Sequence, residues 1–272
     1  MQEHSISIKK PIQVCIHGAA GRMGRRLVAL AAEDPQLHIV AALEAPDHPQ
    51  LGTDAGRVAG LEPIGVVLSS ELGSAKPDVM IDFSVPEAAS RVIQTCLDQQ
   101  IALVFATTGL TPEQTARLRE AAQHIPVLQA PNMSLSVNLA MKLVELAAQA
   151  LKDHDADVEI IERHHRFKED SPSGTALAFG RLIAEQMGQN RHVHGRQGRP
   201  GRRGHEEIGY HAVRVGDDPG QHTIVFGMLG ELLEITVRAT SRDCYARGAL
   251  AAAKFLAGKP PGWYSMREIL GL

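Results

Sequence analysis

Residues 162–176 read ERHHRFKEDSPSGTA. This run places two adjacent imidazoles, His164 and His165, next to a cation, Lys168, a carboxylate, Asp170, and the turn Ser173-Gly174-Thr175. Histidine exchanges protons near neutral pH. Lysine neutralises a carboxylate or gives a proton to a developing negative charge. Ser173 has the chemistry of a helix N-cap, and the first amides of a helix, two hydroxyls and the positive end of the dipole form a cradle for an anion. The sum suits a small acid carrying carboxylates. Taken singly, each group also has a plain reading as a structural histidine, a solvated lysine or a cap. Adjacent histidines lack the spacing of a helical His-Glu-x-x-His pair, so zinc is the weaker alternative and no metal is expected.

A second constellation lies near the start. The apolar run IQVCI leads into His17-GAAGRMG-Arg25, with Gly18, Gly21 and Gly24 three apart at a strand-to-helix junction. Glycine there permits a tight turn and close approach of backbone to a pyrophosphate, and the following helix aims its amides at that anion. Glu44 stands 20 residues after Gly24 at the end of the next strand-like run. A carboxylate at this place accepts hydrogen bonds from ribose hydroxyls in dinucleotide folds. Thr107-Thr108-Gly109 and Ala130-Pro131-Asn132 follow two further strand-like runs, where open α/β sheets bind ligands. They are candidates for the nicotinamide side. The bland alternative is a structural turn without a ligand.

These groups need a frame. The first half alternates strand-like and helix-like segments: 12–16, 21–33, 37–43, 78–83, a helix opened by Pro86, 101–105, a helix capped by Thr111 with Pro112 first, and 127–128. Repeated β-α-β at this spacing predicts a parallel sheet with helices on both faces, a doubly wound, Rossmann-like nucleotide domain. The second half differs. A helix over 136–152 and a strand over 157–163 precede a helix from Ser173 to about Met187; runs at 207–215, 222–227 and 231–240 follow, joined by turn residues. That predicts an α+β domain with an antiparallel or mixed sheet. The Gly/Arg-rich segment 190–204 reads as a loop, either a flap, an oligomer contact or a solvated stretch, and 246–256 as a helix. The net charge of −3 gives no footprint for nucleic acid. No stretch is long and apolar enough for a membrane span. The opening MQEHSISIKK has no apolar run, so no signal peptide is expected. The three cysteines, far apart, read as reduced and mostly buried in a cytoplasmic protein.

At this point the residues carry a resemblance. EIIERHHRFKEDSPSGTA resembles the signature segment of the 4-hydroxy-tetrahydrodipicolinate (dihydrodipicolinate) reductase family. VCIHGAAGRMG, IDFSVPEAA, ATTG, APNMSLSVN, IGYHAVRVGDDPGQHTIVF, GELLEIT and ATSRDCYARGAL agree in order, so the resemblance spans nearly the whole chain. It implies an enzyme of the diaminopimelate route to lysine that reduces a cyclic dicarboxylic imine with NADH or NADPH, as a homotetramer. It implies that 1–132 and 241–272 form the nucleotide domain and 133–240 the substrate and tetramerisation domain. Position by position, His164 matches the family's acid/base histidine and Lys168 its proton donor. His165, Gly174 and Thr175 match its substrate-carboxylate contacts, and Ser173 joins them as the start of the anion cradle. Gly18, Ala19, Ala20, Gly21, Arg22, Met23, Glu44, Ala106, Thr107, Thr108, Ala130, Pro131, Asn132 and Met133 match its cofactor contacts. Two positions depart. Ala45 stands where many members carry an arginine suited to a 2′-phosphate, which implies ready use of NADH. Val237 stands where many carry a histidine. A related reductase acting on another small acid, and a nucleotide sensor without turnover, are the competing readings.

Overall fold

The computed structural model describes residues 10–272, so the expectation for the opening segment falls, for residues 1–9, outside the described residues. The described chain separates into two compact units, one of residues 10–134 and 245–271, the other of residues 135–244.

The first unit begins β1 (Ile12–His17), α1 (Arg22–Ala32), β2 (Leu37–Leu43), α2 (Ala55–Val58), β3 (Leu68–Ser69) and β4 (Val79–Asp82). It continues with α3 (Ala89–Gln99), β5 (Ala102–Phe105), α4 (Pro112–Ala121) and β6 (Pro126–Gln129). Pro86 opens its segment as a 3₁₀ turn over Pro86–Ala88 that feeds α3, rather than as the first turn of the α-helix itself. Thr111 caps α4 through a capping box with Gln114, and Pro112 takes the first position, where its missing N–H costs nothing. The strands are apolar on both sides because both faces are covered. Cys15, Met80, Leu103, Phe105 and Val127 pack with α3 and α4. The alternate residues Val14, Ile16, Val79 and Ile81 are equally buried and face the other way; α1 packs on β1 and β2. Cys15 and Cys96 lie in this core, and burial pushes both thiols up.

The second unit holds α5 (Leu135–Leu151), β7 (Asp157–His164), α6 (Gly174–Met187), β8 (Arg191–His194), β9 (Glu207–Arg214), β10 (Gln221–Met228) and β11 (Glu231–Arg238). The chain then closes with α7 (Asp243–Leu256), β12 (Gly262–Tyr264) and α8 (Met266–Ile269). β12 pairs parallel with β6, so the first sheet runs β12-β6-β5-β4-β1-β2-β3, with every pair parallel.

The second sheet runs β11-β10-β7-β9-β8 and is mixed: β7 pairs parallel with β9 and antiparallel with β10. Along β7, Val158, Ile160, Glu162 and His164 are buried on one face. Val158 and Ile160 join a core with Phe179 and Ile183 of α6, Val144 of α5, and Tyr210, Ile224 and Phe226. The opposite face carries Glu159, Ile161 and Arg163, with Ile161 42% exposed. The Gly/Arg segment expected as a loop in fact starts with an edge strand, β8. The remainder is largely exposed, as a solvated stretch would be, but two of its arginines tie it to the sheet. Arg196 chelates Glu159 at 2.8 and 3.0 Å, and Arg203 reaches Glu159, Asp157 and the Val158 carbonyl. Burial alone would raise the Glu159 carboxyl, but hydrogen bonds from Arg196, His211 and Arg203 hold it at about 2.

Candidate active site

In the first sheet one row of residues sets the site. Leu43, His17, Asp82, Phe105 and Gln129 stand in register across β2, β1, β4, β5 and β6, at the carboxyl edge. Each begins a loop one step further on, so Glu44, Gly18, Ala106 and Ala130 emerge side by side although the sequence scatters them. The strand order reverses at β1, with β2 and β3 on one side and β4 on the other, and such a switch point is where open α/β sheets bind ligands.

The glycine turn is closed tightly. Gly18 has φ +78°, and a Cβ there would lie 2.7 Å from the Phe83 carbonyl oxygen. At Gly24 a Cβ would lie 2.0 Å from the Gly18 carbonyl oxygen, so only glycine lets α1 start against the turn. Gly21 is the N-cap of α1, no side chain caps it and the first turn holds no acid. This is an open anion site in the form that suits a pyrophosphate. The Glu44 carboxylate accepts from the Ala20 amide at 2.9 Å and the Ala45 amide at 3.0 Å, so it is held beside the turn. These residues fit a dinucleotide. Ala19 and Ala20 are buried within the turn, while Arg22 is exposed and Met23 half-buried at the helix start.

Beneath the edge lies a carboxylate to which the sequence reading gave no role. Asp82, with no exposed surface, accepts from Thr107 Oγ1 at 2.6 Å, Ser84 Oγ at 2.7 Å and His17 Nδ1 at 2.7 Å. Thr107 Oγ1 in turn accepts from the Ser84 amide at 3.0 Å. The Thr107 hydroxyl therefore gives its proton to the end of β4 and tethers its loop to the neighbouring one, so it has no proton left to donate to a ligand. Thr108 is exposed next to it. Ala130 and Met133 are buried, Pro131 is exposed, and Asn132 Oδ1 accepts from the Ser134 amide at 2.9 Å.

The second unit gathers the other constellation. His164 is the last residue of β7 and is buried. Its Nδ1 lies 2.6 Å from Glu162 Oε2. The chain leaves the strand there: the His165 amide donates to the Asp218 carbonyl at 2.8 Å and the Lys168 amide to the His165 carbonyl. Ser173 caps α6 by accepting from the Ala176 amide, and its Oγ lies 2.9 Å from His222 Nε2. The His222 ring meets His164 edge-on, 5.2 Å between centroids. Burial foremost, then the neighbouring His164, push His222 down to about 4, so it is neutral at ordinary pH. Gly174 is the first residue of α6 and Thr175 the second. Lys168 Nζ pairs with Asp170 Oδ1 at 2.7 Å, and, against burial, this partner above all holds the Asp170 carboxyl below its ordinary value. A carboxylate thus already sits on the lysine in the loop before the helix start.

His164, His165, Lys168, Ser173, Gly174 and Thr175 all lie in this one strand-end, loop and helix start, whereas Gly18, Glu44, Ala106, Thr107 and Ala130 stand along the carboxyl edge of the first sheet. Glu162, Arg214, His222 and Asp82 were not among the expected residues. Parity is the signal for Glu162 and His222, which share their strands' buried face with Ile160 and Ile224. For Asp82 the signal is a lone acid in the apolar run VMIDF. Val237, where a histidine was noted in many relatives, sits opposite His222 in the β10–β11 ladder and packs into the core. Among the described residues no cluster of histidine, cysteine or acidic side chains is arranged to hold a metal.

Comparison with known proteins covers both units. A family model for the N-terminus of dihydrodipicolinate reductase matches residues 12–133, and one for its C-terminus matches 136–270. A 4-hydroxy-tetrahydrodipicolinate reductase of Rhodopirellula baltica is 55% identical over 271 residues, covering 96% of this chain and 97% of the relative. One of Syntrophotalea carbinolica is 49% identical, covering 96% and 99%. Among solved structures, dipicolinate-bound dihydrodipicolinate reductase from Paenisporosarcina sp. TG-14 is 26% identical with a TM-score of 0.76, covering 94% of this chain and 98% of that one. A myo-inositol dehydrogenase from Corynebacterium glutamicum, 12% identical with a TM-score of 0.59 over 93% and 90%, shares the fold alone.

Proposed function

The chain belongs to the dihydrodipicolinate reductase family, and on that premise we infer how its two units divide the work. The reaction is reduction of 4-hydroxy-tetrahydrodipicolinate, by way of dihydrodipicolinate, to tetrahydrodipicolinate, a step of the diaminopimelate route to lysine. A pyridine nucleotide is the reductant. When bound, its nicotinamide supplies the hydride.

The first unit holds the dinucleotide: Gly18 to Met23 take the pyrophosphate, Glu44 the adenosine ribose, and the backbone of Ala106 to Thr108 and Ala130 to Met133 the nicotinamide end. The second unit holds the dicarboxylate at the helix start that Ser173 caps, on Gly174 and Thr175, with Lys168 and His165 neutralising its charge. The observation that carries this reading is the pairing of the Lys168 ammonium with a carboxylate, that of Asp170 at 2.7 Å, in the loop just before the start of α6, so this cation already holds the chemistry the substrate brings. His164, buried and backed by Glu162, is the acid–base group at the ring.

A coupled assay tests it. Supplied with the product of the aldol condensation of pyruvate and aspartate semialdehyde, the protein oxidises NADH; binding of NADH without turnover would turn the reading into a sensor. His164→Gln and Lys168→Ala each lower kcat by about 10²–10⁴-fold and leave NADH binding intact. NADH is used readily: Glu44, fixed by the Ala20 and Ala45 amides, repels a 2′-phosphate, and Ala45 offers it no cation. A strong NADPH preference in kcat/KM sinks that point. The chain works as a homotetramer in the cytoplasm, its mixed sheet keeping one face, with Ile161 and Val213 exposed, for other copies; light scattering on the purified protein reads the number.

A further inference from the structure

We propose that Glu162 is the positioning residue of the acid–base site: it fixes which ring nitrogen of His164 exchanges the proton, and it ties that imidazole to the start of the acid cradle. The proposal rests on the reading of His164 given above.

The Glu162 side chain has no exposed surface. A carboxylate withdrawn from water is tolerated only when its lone pairs are filled. Here all are. Oε2 accepts from His164 Nδ1 at 2.6 Å and Arg214 Nη1 at 2.9 Å; Oε1 accepts from Arg214 Nη2 at 2.7 Å and the Ser173 amide at 3.1 Å. An Arg–Glu pair kept only for stability needs neither the imidazole nor the helix-start amide. Glu162 has both, one on each oxygen.

The consequence for His164 is chemical. An ionised carboxylate accepts and never donates, so Nδ1 carries a proton in both charge states of the ring. Nε2 is then the atom that gains and loses one. Its surroundings agree: it faces Gly220, where a Cβ would lie 2.8 Å away and crowd it, whereas glycine does not. Arg214 keeps Glu162 from taking the proton itself. Burial raises the Glu162 carboxyl, but hydrogen bonds from His164 and Arg214 outweigh it and hold it at about 2. The bond to the Ser173 amide links the end of β7 to the start of α6, so one side chain sets the spacing between the imidazole and the amides that grip the acid.

Nitrogen NMR of the full-length protein with ¹⁵N-labelled histidine tests the placement, with His164→Gln identifying the signal. The neutral ring is expected to carry its proton on Nδ1. In steady-state kinetics Glu162→Gln is expected to lose about a hundredfold or more in kcat, with KM for NADH and for the imine acid within about threefold. Glu162→Asp, shorter but charged, recovers about tenfold or more of that loss. A neutral ring protonated on Nε2 overturns the proposal. So does a folded Glu162→Gln whose kcat stays within about threefold of the wild type, or whose loss lies in KM alone. If Glu162→Gln does not fold, the tautomer in the wild-type protein decides. The NMR arm uses no substrate, so failure of the wild type to turn over would strike the reaction reading alone.

Discussion

At the scale of single residues, the second unit works by leaving atoms out as much as by placing them. Gly220 adopts φ +140°, a conformation that side chains rarely take, and its missing Cβ clears His164 Nε2. Gly220→Ala should therefore lower kcat by about tenfold or more while NADH binding holds, because a small displacement of a reacting atom is costly. Steady-state kinetics beside NADH titration checks this, and a wild-type kcat would remove Nε2 from the proton path. The histidine pair in ERHH drew the chemistry in the sequence, and His164 does sit within a buried polar cluster with Glu162 and His222. Its supports were less legible. Glu162 sits beside a histidine pair that claims the attention, and Arg214 comes from β9, paired with β7 only by the long crossover. Contacts made across a sheet leave no local pattern to read.

At the scale of elements, strands buried on both faces read easily as apolar runs, and β1, β2, β4, β5 and β6 all fell where the runs predicted. β3 and α2 did not, since two and four residues carry no period. β8, RHVH, has a single apolar side chain and reads as loop; only its ladder with β9 makes it a strand. Helix packing supplies a sharper test. Gly180, mid-way along α6, faces the Tyr210 hydroxyl so closely that a Cβ would lie 1.6 Å from it. Alanine is the better helix former by about 1 kcal/mol, yet the overlap with a buried tyrosine costs more, about 1–3 kcal/mol. Gly180→Ala should lower the melting temperature, and a rise would mean that Tyr210 yields. The Arg196 and Arg203 clamps make the related point for 195–206: Arg203→Ala should increase protease cleavage within that segment, because its hydrogen bonds to the Val158 and Glu207 carbonyls hold the loop down.

At the scale of the whole molecule, stability should fall with acid in two stages. His222 is near 4 when folded and takes its ordinary value of about 6.5 when unfolded. Between those values the unfolded chain binds the extra proton, so stability drops as pH falls from about 6.5 to about 4. Glu159 and Glu162 are at about 2 when folded, against about 4.3 unfolded. Their contribution, complete above the unfolded value, is lost as pH falls through the folded one. Melting temperatures across pH 7 to 3 should show both limbs, and His222→Gln should flatten the first; an unchanged first limb would assign it elsewhere. A further consequence follows from the order β11-β10-β7-β9-β8. Opening a sheet starts at its edges, and the middle strand gives up its hydrogen bonds last. β7 is that strand, so the amides leading to His164 should exchange their hydrogens for deuterium more slowly than those of β8 or β11, and the strand that carries the buried histidine outlasts its own rim.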